Sequence, residues 1–347
     1  MRSPALDELP APPPEKFGWP WTEESPQLGD TMPDGHPWPR ISIVTPSYNQ
    51  GQFIEETIRS VLLQGYPNLE YMIVDGGSSD ESVDIIKKYE QWLAYWVTEP
   101  DRGQSHAVNK GLEVAEGEIL AYLNSDDLYA PNCLTPISNY FSTHPEAKMV
   151  YGDCYLINEA GDKFGSYPAE GYKNFLDLVD YQYYGKLIIP QPTVFWRKEI
   201  IKTVGLLNEN YELAMDYEYW LRCAFKYNLH YINRYLACYR VYTTTKTGIF
   251  RYKQILEVKA ASSMYWDHLP AFRRNRCKLL YRLYLKHESI TNYLQQFSSN
   301  RQTKKKSAIL KRSAHVIAVV LDLIQNVFRK LHRIIVSLES RKILKSK

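Results

Sequence analysis

Ile119-Leu-Ala-Tyr-Leu-Asn-Ser-Asp-Asp-Leu128 is the stretch that decides how this chain folds. Ile119 to Leu123 have the length and composition of a buried strand. Two adjacent carboxylates, Asp126 and Asp127, follow directly. In an α/β sheet, ligands bind at the carboxyl ends of strands. Paired acids there can hold a divalent cation through oxygen ligands while the cation grips a phosphate. The same string also suits a surface turn whose Asp caps the next helix. The neighbouring segments decide between the two.

Upstream, Ile41-Ser-Ile-Val-Thr45 predicts a strand ended by Pro46, with Ser47-Tyr-Asn49 as its loop. Ile54, Ile58, Val61 and Leu62 then share one helical face, and Gly65 is the stop. Tyr71 to Val74 predicts a second strand, with Asp75-Gly-Gly-Ser-Ser-Asp80 as its loop. Ser79 is placed to cap the next helix, whose first turn carries Asp80 and Glu81. Trp96-Val97 marks a third strand. Glu99-Pro-Asp-Arg-Gly-Gln104 follows, and then a helix through Ala107, Gly111, Leu112 and Ala115. This alternation predicts a largely parallel sheet with right-handed crossovers. Each strand delivers a polar loop to one edge, where Asp75, Asp101 and Asp126 converge. Three acids gathered there are costly without a cation or ligand donors among them. That favours a binding site over a bare turn.

Beyond Asp127 the pattern changes. Met149 to Asp153 and Tyr155 to Ile157 predict strands, and Lys163 to Tyr167 returns as a hairpin. Gln191 to Trp196 predicts another strand, followed by a short helix through Ile200 to Val204. Glu212 to Tyr227 reads as a helix burying Leu213, Tyr217, Trp220, Leu221 and Ala224, with Asp216 in its first turn. Leu236 to Tyr242 predicts a last strand, followed by a polar loop that holds Lys246.

Composition bounds the rest. With 347 residues, 44% apolar and 23% charged, the chain can bury a sizeable core. Its 28 Tyr suit carbohydrate-lined clefts and membrane interfaces, and they equally fill cores. Five scattered Cys without a CxxC pair argue against a zinc site or a disulfide framework and fit a reducing compartment. No signal-peptide core opens the chain, and no apolar run of about 18 residues spans a bilayer. Residues 1–40 are Pro-rich and acidic without a hydrophobic period, an extended arm that wraps the domain. Charge is unevenly spread. Residues 271–347 carry 19 Lys and Arg against Glu288, Asp322 and Glu339, whereas residues 1–270 carry 23 bases against 36 acids. Such a tail points to an anionic partner.

Seven segments in series resemble the family 2 glycosyltransferases, inverting enzymes of the GT-A fold. Thr45-Pro-Ser-Tyr-Asn49 is similar to that family's first-strand loop, and Val74-Asp-Gly-Gly-Ser-Ser-Asp80 to its second. Glu99 to Ser105 with Asn109-Lys-Gly111 is similar to a pattern of its bacterial polysaccharide branch. Leu123-Asn-Ser-Asp-Asp127 resembles its metal-binding DxD segment. Gln191-Pro-Thr-Val-Phe195, Gly205 to Glu209 and Met215 to Arg222 resemble its acceptor side. The resemblance spans about residues 40–247. It implies an α/β GT-A (Rossmann-like) domain over 41–250, with a mostly parallel central sheet flanked by helices. The arm at 1–40 precedes it and a basic helical extension at 251–347 follows.

Carried over, the resemblance implies that Asp75 binds the base or ribose beside the Thr45-Pro46-Ser47 backbone. Asp75 and Asp80 also suit Asx-turn and capping roles, which can coexist with binding. Asp101, Gln104, Ser125, Asp127 and Arg240 complete the implied nucleotide-sugar site. Asp126 coordinates Mg²⁺ or Mn²⁺ on the donor diphosphate, and Asp216 is the general base. This chain departs from the pattern in three places: Asn124 stands where the first DxD acid is usual, His106 where Asp is common, and Tyr242 where a His can complete the metal site. For Asp216, complementarity to the helix dipole is the plainer explanation of an acid. A neighbouring Glu218 would raise its basicity. Arg240 and Lys246 suit a diphosphate, or a solvated strand end. Trp220 and Tyr217 suit the core better than a sugar platform.

The implied activity is metal-dependent transfer from a nucleotide-diphosphate sugar to a glycan or lipid-linked acceptor in surface-polysaccharide assembly. A non-catalytic sugar-nucleotide-binding subunit is the alternative, and a metal-dependent phosphohydrolase fits less well. Residues 316–338 place Ile317, Val320, Leu321, Ile324, Val327 and Phe328 at helical spacing among Arg and Lys. A basic amphipathic helix of this kind suits peripheral contact, through 304–347, with the cytoplasmic face of the plasma membrane. It equally suits packing on the domain. No nucleic-acid module accompanies the charge.

Overall fold

The apolar runs form the central strands β1 (Ile41–Ser47) and β2 (Leu69–Asp75), and every residue of both is buried. Strands covered on both faces read as continuous apolar runs, which is why neither alternates. The computed structural model describes residues 1–169, 174–180, 189–243, 245 and 250–297. It pairs β1 in parallel with β2 and with β4 (Ile119–Tyr122), and β2 in parallel with β3 (Tyr95–Thr98). Helices α1 (Gly51–Leu62), α2 (Ser82–Lys88) and α3 (Gln104–Val114) make the crossovers. The expected alternation holds, with one correction. Pro46 does not end β1, because it pairs with Val74. Pairing with β4 stops at Val44, so on that side β1 is an edge, where a strand tolerates proline.

The remaining elements are β5 (Leu128–Tyr129), α4 (Leu134–Thr143), β6 (Met149–Ile157), β7 (Lys163–Tyr167), α5 (Phe175–Val179), β8 (Phe195–Arg197), α6 (Ile200–Val204), α7 (Met215–Lys226) and β9 (Leu229–Arg240). Among the described residues the nine-stranded sheet runs β3-β2-β1-β4-β8-β6-β9-β5, with β7 on β6. β8 is antiparallel to both β4 and β6, and β9 is parallel to β6. The two reversals cancel, so β9 runs in the sense of β1. Its carboxyl end emerges at the edge that carries the loops after β1 to β4.

Three local expectations change here. One bulged strand, β6, replaces the two expected, with register shifts between Tyr151 and Cys154. Gln191–Thr193 is a 3-10 turn rather than strand, held by Thr193 Oγ1 donating to Pro190 O at 2.8 Å. β9 starts at Leu229 rather than Leu236.

α1 is enclosed on nearly all sides. Glu56, Thr57, Arg59 and Ser60 are buried along with Phe53, Ile54 and Ile58. The arm over residues 1–40 covers the face a crossover helix ordinarily gives to solvent. Leu9, Trp21, Met32 and Trp38 of the arm are buried. Arg59 donates to the carbonyls of Pro10 (2.9 Å), Pro20 (3.0 Å) and Trp21 (2.9 Å). Buried tyrosines such as Tyr66, Tyr71 and Tyr129 fill the core, and all five Cys are buried and free.

The chain divides into two compact units, Met1–Phe175 with Leu187–Gln254, and Leu176–Lys186 with Ile255–Lys347. The first holds the sheet. In the second, helices α8 (Arg251–Ser263, from Ile255 onward) and α9 (Ala271–Phe297) are described, and Arg273 Nε donates to Asp180 Oδ2 at 2.7 Å. The amphipathic stretch at 316–338, the segment 304–347 and Lys246 lie outside the described residues. No helix among the described residues is long and apolar enough to cross a membrane.

Candidate active site

A cleft of about 620 Å³ opens at the carboxyl edge of the sheet. Its walls come from the loops the sequence pointed to: Pro46 and Ser47 after β1, Gly76 after β2, Asp101 and Gln104 after β3, and Asn124, Ser125 and Asp126 after β4. Tyr239, Arg240 and Tyr242 from the end of β9 close it, with Tyr48 and Gln50. Thr45, Asp75, Asp127 and Asp216 are not among these lining residues.

The turn at Asp126 and Asp127 is held from behind by α1. Thr57 Oγ1 donates to the carbonyls of Ser125 (3.0 Å) and Asp127 (2.8 Å). From the other side, Arg240 Nε donates to Asp126 O at 2.7 Å, and Arg240 N donates to Asp127 Oδ1 at 2.8 Å. Asp127 is thus a buried strut, whereas Asp126 faces the cleft and accepts the Tyr242 hydroxyl at 2.9 Å on Oδ2. Burial pushes both carboxyl pKa values above the ordinary aspartate range, and the charge on Asp126 raises Asp127 further.

Arg240 is neither a solvated strand end nor free to meet a ligand. Its guanidinium reaches Glu56 Oε2 (2.8 Å) and the carbonyls of Asn158 (3.1 Å) and Glu159 (3.0 Å).

Asp75 sits behind the wall and is fully buried. Its carboxylate accepts from Gly77 N (3.1 Å), Ser78 N (2.8 Å), Ser78 Oγ (2.5 Å) and Thr98 Oγ1 (2.7 Å). The cost of gathering acids at this edge is met for Asp75 by protein donors. Thr45 is also buried, and its Oγ1 accepts from Tyr71.

The first two loops are zipped together. Asn49 Oδ1 accepts from Ser79 N (2.9 Å), Ser82 Oγ from Gln50 N (3.0 Å) and Asp80 Oδ2 from Gly51 N (2.9 Å). Ser79 therefore serves Asn49 rather than capping α2. That helix starts later, at Ser82, whose N–H donates to Asp80 Oδ1 at 3.0 Å.

On the far side of α3 lies the segment leading to α7. Asp216 is half-buried at the start of α7. Burial pushes its pKa up to about 6, and the Tyr217 N–H at 2.7 Å pulls the other way. Tyr122, at the end of β4, is close enough that the charges of Asp216 and Asp127 add to burial in raising its own pKa. Glu218 plays no part in raising Asp216, since Arg222 claims both of its oxygens at 2.8 and 2.9 Å. Trp220 and Tyr217 are buried in the core, as expected.

Gln50 lines the cleft, and Glu56 and Thr57 support it. None was singled out from sequence. On α1, Glu56 and Thr57 are spaced like a solvated face, and no local signal tells a buried polar side chain from an exposed one.

Among the described residues, no three His, Cys, Asp or Glu side chains cluster to hold a metal. The donor set still fits Mg²⁺ or Mn²⁺. Such ions commonly take one or two carboxylates, with phosphate oxygens and water completing the shell. A carboxylate raised by burial beside a second one is also the environment a cation relieves. The edge can therefore take a nucleotide and its phosphates in the cleft, with a separate carboxyl on α7.

The sequence model for Glycosyl transferase family 2 matches residues 42–205. A PGL/p-HBAD biosynthesis glycosyltransferase from Mycobacterium bovis is 28% identical over 189 residues, covering 53% of this chain and 70% of its own length. Residues 1–349 of S. aureus TarS, solved with UDP-GlcNAc, align over 85% of this chain and 91% of that one, with a TM-score of 0.54 and 15% identity. The mannosyltransferase PcManGT from Pyrobaculum calidifontis, solved with GDP-Man and Mn²⁺, aligns over 88% and 89%, with a TM-score of 0.53 and 17% identity. At these identities the structural likeness is one of fold.

Proposed function

We propose that this chain, which belongs to glycosyl transferase family 2, moves a sugar from a nucleotide-diphosphate sugar to an acceptor hydroxyl with inversion at the anomeric carbon. The observation that carries this reading is the cleft of about 620 Å³ at the carboxyl edge, with Asp126 in its wall. The acceptor oxygen attacks the anomeric carbon as the bond to the β-phosphate oxygen breaks. The nucleoside diphosphate leaves with the bonding pair, and the acceptor proton passes to Asp216.

Asp216 stands outside the cleft lining, as suits a group that meets the acceptor rather than the nucleotide. A base whose pKa is held near 6 is ionised at neutral pH and still basic enough to take a proton. Asp126, together with donor phosphate oxygens and water, would hold Mg²⁺ or Mn²⁺. Bound there, the cation offsets the charge that builds on the leaving diphosphate. Pro46, Ser47, Asp101, Gln104 and Ser125 meet the nucleotide sugar directly. Thr45, Asp75, Asp127 and Arg240 act on it by shaping the loops.

The relative named for PGL/p-HBAD biosynthesis supports a role in glycan assembly. The basic stretch at 304–347 supports peripheral contact with the cytoplasmic face of an anionic membrane, where a lipid-linked acceptor would lie. Deletion of residues 300–347 is expected to weaken binding to anionic vesicles. Unchanged vesicle binding would remove the membrane role.

The deciding experiment is calorimetric titration with UDP, GDP and dTDP, each with and without Mn²⁺, on wild type and Asp126→Ala. Manganese-dependent binding of one nucleotide, lost in the variant, is expected. Failure of folded wild type to bind any of them would sink the donor-site reading. Binding without turnover, unaltered in Asp216→Asn, would leave a sugar-nucleotide-binding subunit instead.

A further inference from the structure

We infer that Ser105 and Asn109 are positioning residues, which brace the segment carrying Asp216 against the donor cleft through helix α3. The inference rests on the reading of the cleft as donor site and Asp216 as base.

Gln104, the first residue of α3, lines the cleft, and its Nε2 donates to Asn124 Oδ1 at 2.6 Å. Ser105, the next residue, faces the other way. Its hydroxyl donates to Tyr211 O at 3.2 Å and lies 2.9 Å from Met215 Sδ, beside Asp216 in sequence. Asn109 is one helical turn further along, on the same face as Ser105. Its Nδ2 donates to Leu207 O at 2.9 Å, and Leu207 N donates back to Oδ1 at 3.0 Å. The amide thus grips one residue of the segment at both backbone groups, as a paired strand would. Both side chains are buried, at 5% and 6% exposure. The Arg102–Glu209 pair reaches the same segment from the surface, where ion pairs contribute little.

α3 is a rigid spacer because it sits hard on the sheet. A Cβ at Gly111 would lie 2.5 Å from Val44 Cγ1 of β1. Arg222 also holds this region, donating to the carbonyls of Val204 and Leu206, but it does so from α7 itself. It ties the segment to the helix that carries Asp216, not to the donor side. Ser105 and Asn109 make the connection between the two sides.

The test uses the full chain, with water as acceptor and UDP-GlcNAc or GDP-mannose as donor. It reads release of nucleoside diphosphate, nucleotide affinity and amide exchange. Asn109→Ala and Ser105→Ala are expected to lower turnover by about 10- to 100-fold, the scale set by a displaced catalytic group. UDP or GDP affinity should stay within about twofold, and exchange should quicken over 205–216. Ser105→Thr, which keeps the hydroxyl, should recover turnover lost in Ser105→Ala. If Asn109→Ala does not fold, Asn109→Ser breaks the two-point grip on Leu207 with a small polar side chain and adds no charge. Wild-type turnover in the folded Asn109 variant, with Asp216→Asn inactive, would overturn the brace and leave the base assignment standing. Affinity falling in step with turnover would overturn it too. Full turnover in Asp216→Asn would instead sink the base assignment, and the brace with it.

Discussion

Arg240 and Glu56 form an ion pair of 2.8 Å, although the arginine side chain is wholly enclosed. The same guanidinium holds the Asp126 carbonyl, so a residue of α1 and the end of β9 meet at the turn that carries the paired acids. Removing one partner of a buried pair leaves an uncompensated charge, at a cost of about 3–5 kcal/mol. Glu56→Gln is expected to lower stability on that scale in urea titrations. It should also weaken nucleotide binding, because the Asp126 turn loses its brace. Unchanged stability would show that the backbone carbonyls alone satisfy the arginine.

Asp216 makes stability depend on pH in a defined direction. Its folded pKa is raised from 3.8 to about 6 by burial. Between those values the native state keeps a proton that the unfolded chain releases, so this group's effect on stability becomes less favourable as pH rises from about 4 to 6. Asp216→Asn removes that loss. The variant should be more stable than wild type at pH 7.5 by on the order of 3 kcal/mol, and no different on this account at pH 3.5. Turnover should move the opposite way, falling by about 10²- to 10⁴-fold as expected for a lost general base. Wild-type turnover should fall away below about pH 6. A variant less stable than wild type at pH 7.5 would contradict the burial argument.

Arg59 ties the arm to α1 through the carbonyls of Pro10, Pro20 and Trp21. Arg59→Met keeps apolar bulk but leaves three buried carbonyls without this donor, at about 1–3 kcal/mol for each group left unsatisfied. The expected result is a lowered Tm and new protease cleavage between residues 10 and 25. Resistance equal to wild type would mean that Trp21 and Trp38 hold the arm by packing alone.

Gly111→Ala tests how closely α3 lies on the sheet. The new methyl group would meet Val44 of β1 at 2.5 Å. Overpacking of this kind typically costs about 1–3 kcal/mol. A drop in Tm is expected, together with slowed donor turnover as α3 lifts away. An unchanged Tm would show that Val44 can turn aside.

The parallel strands at 41–123, their loops and their shared edge were legible because they rest on local patterns. The runs at 41–47 and 119–123 are apolar enough to be buried, and polar loops follow each. Boundaries misread from sequence fall where a distant contact intervenes. Ser79 has the chemistry of a helix cap, yet Asn49 claims it. The run from Gln191 is apolar enough for a strand, yet Thr193 Oγ1 bends it into a turn by donating to Pro190 O and Gly152 O.

The sequence by itself determined the mostly parallel sheet, the edge that carries the cleft and the set of acids brought there. Hydrophobic period and loop chemistry are properties of a few neighbouring residues. The tertiary structure alone decided which of those acids face a ligand. Asp101 and Asp126 line the cleft, Asp75 is consumed by four donors, and Asp127 is bound by Arg240. A carboxylate's role depends on its burial and its donors: three of the four donors to Asp75 are local, from Gly77 and Ser78, whereas Arg240 lies 113 positions from Asp127. Contacts over such separations leave no trace in local spacing.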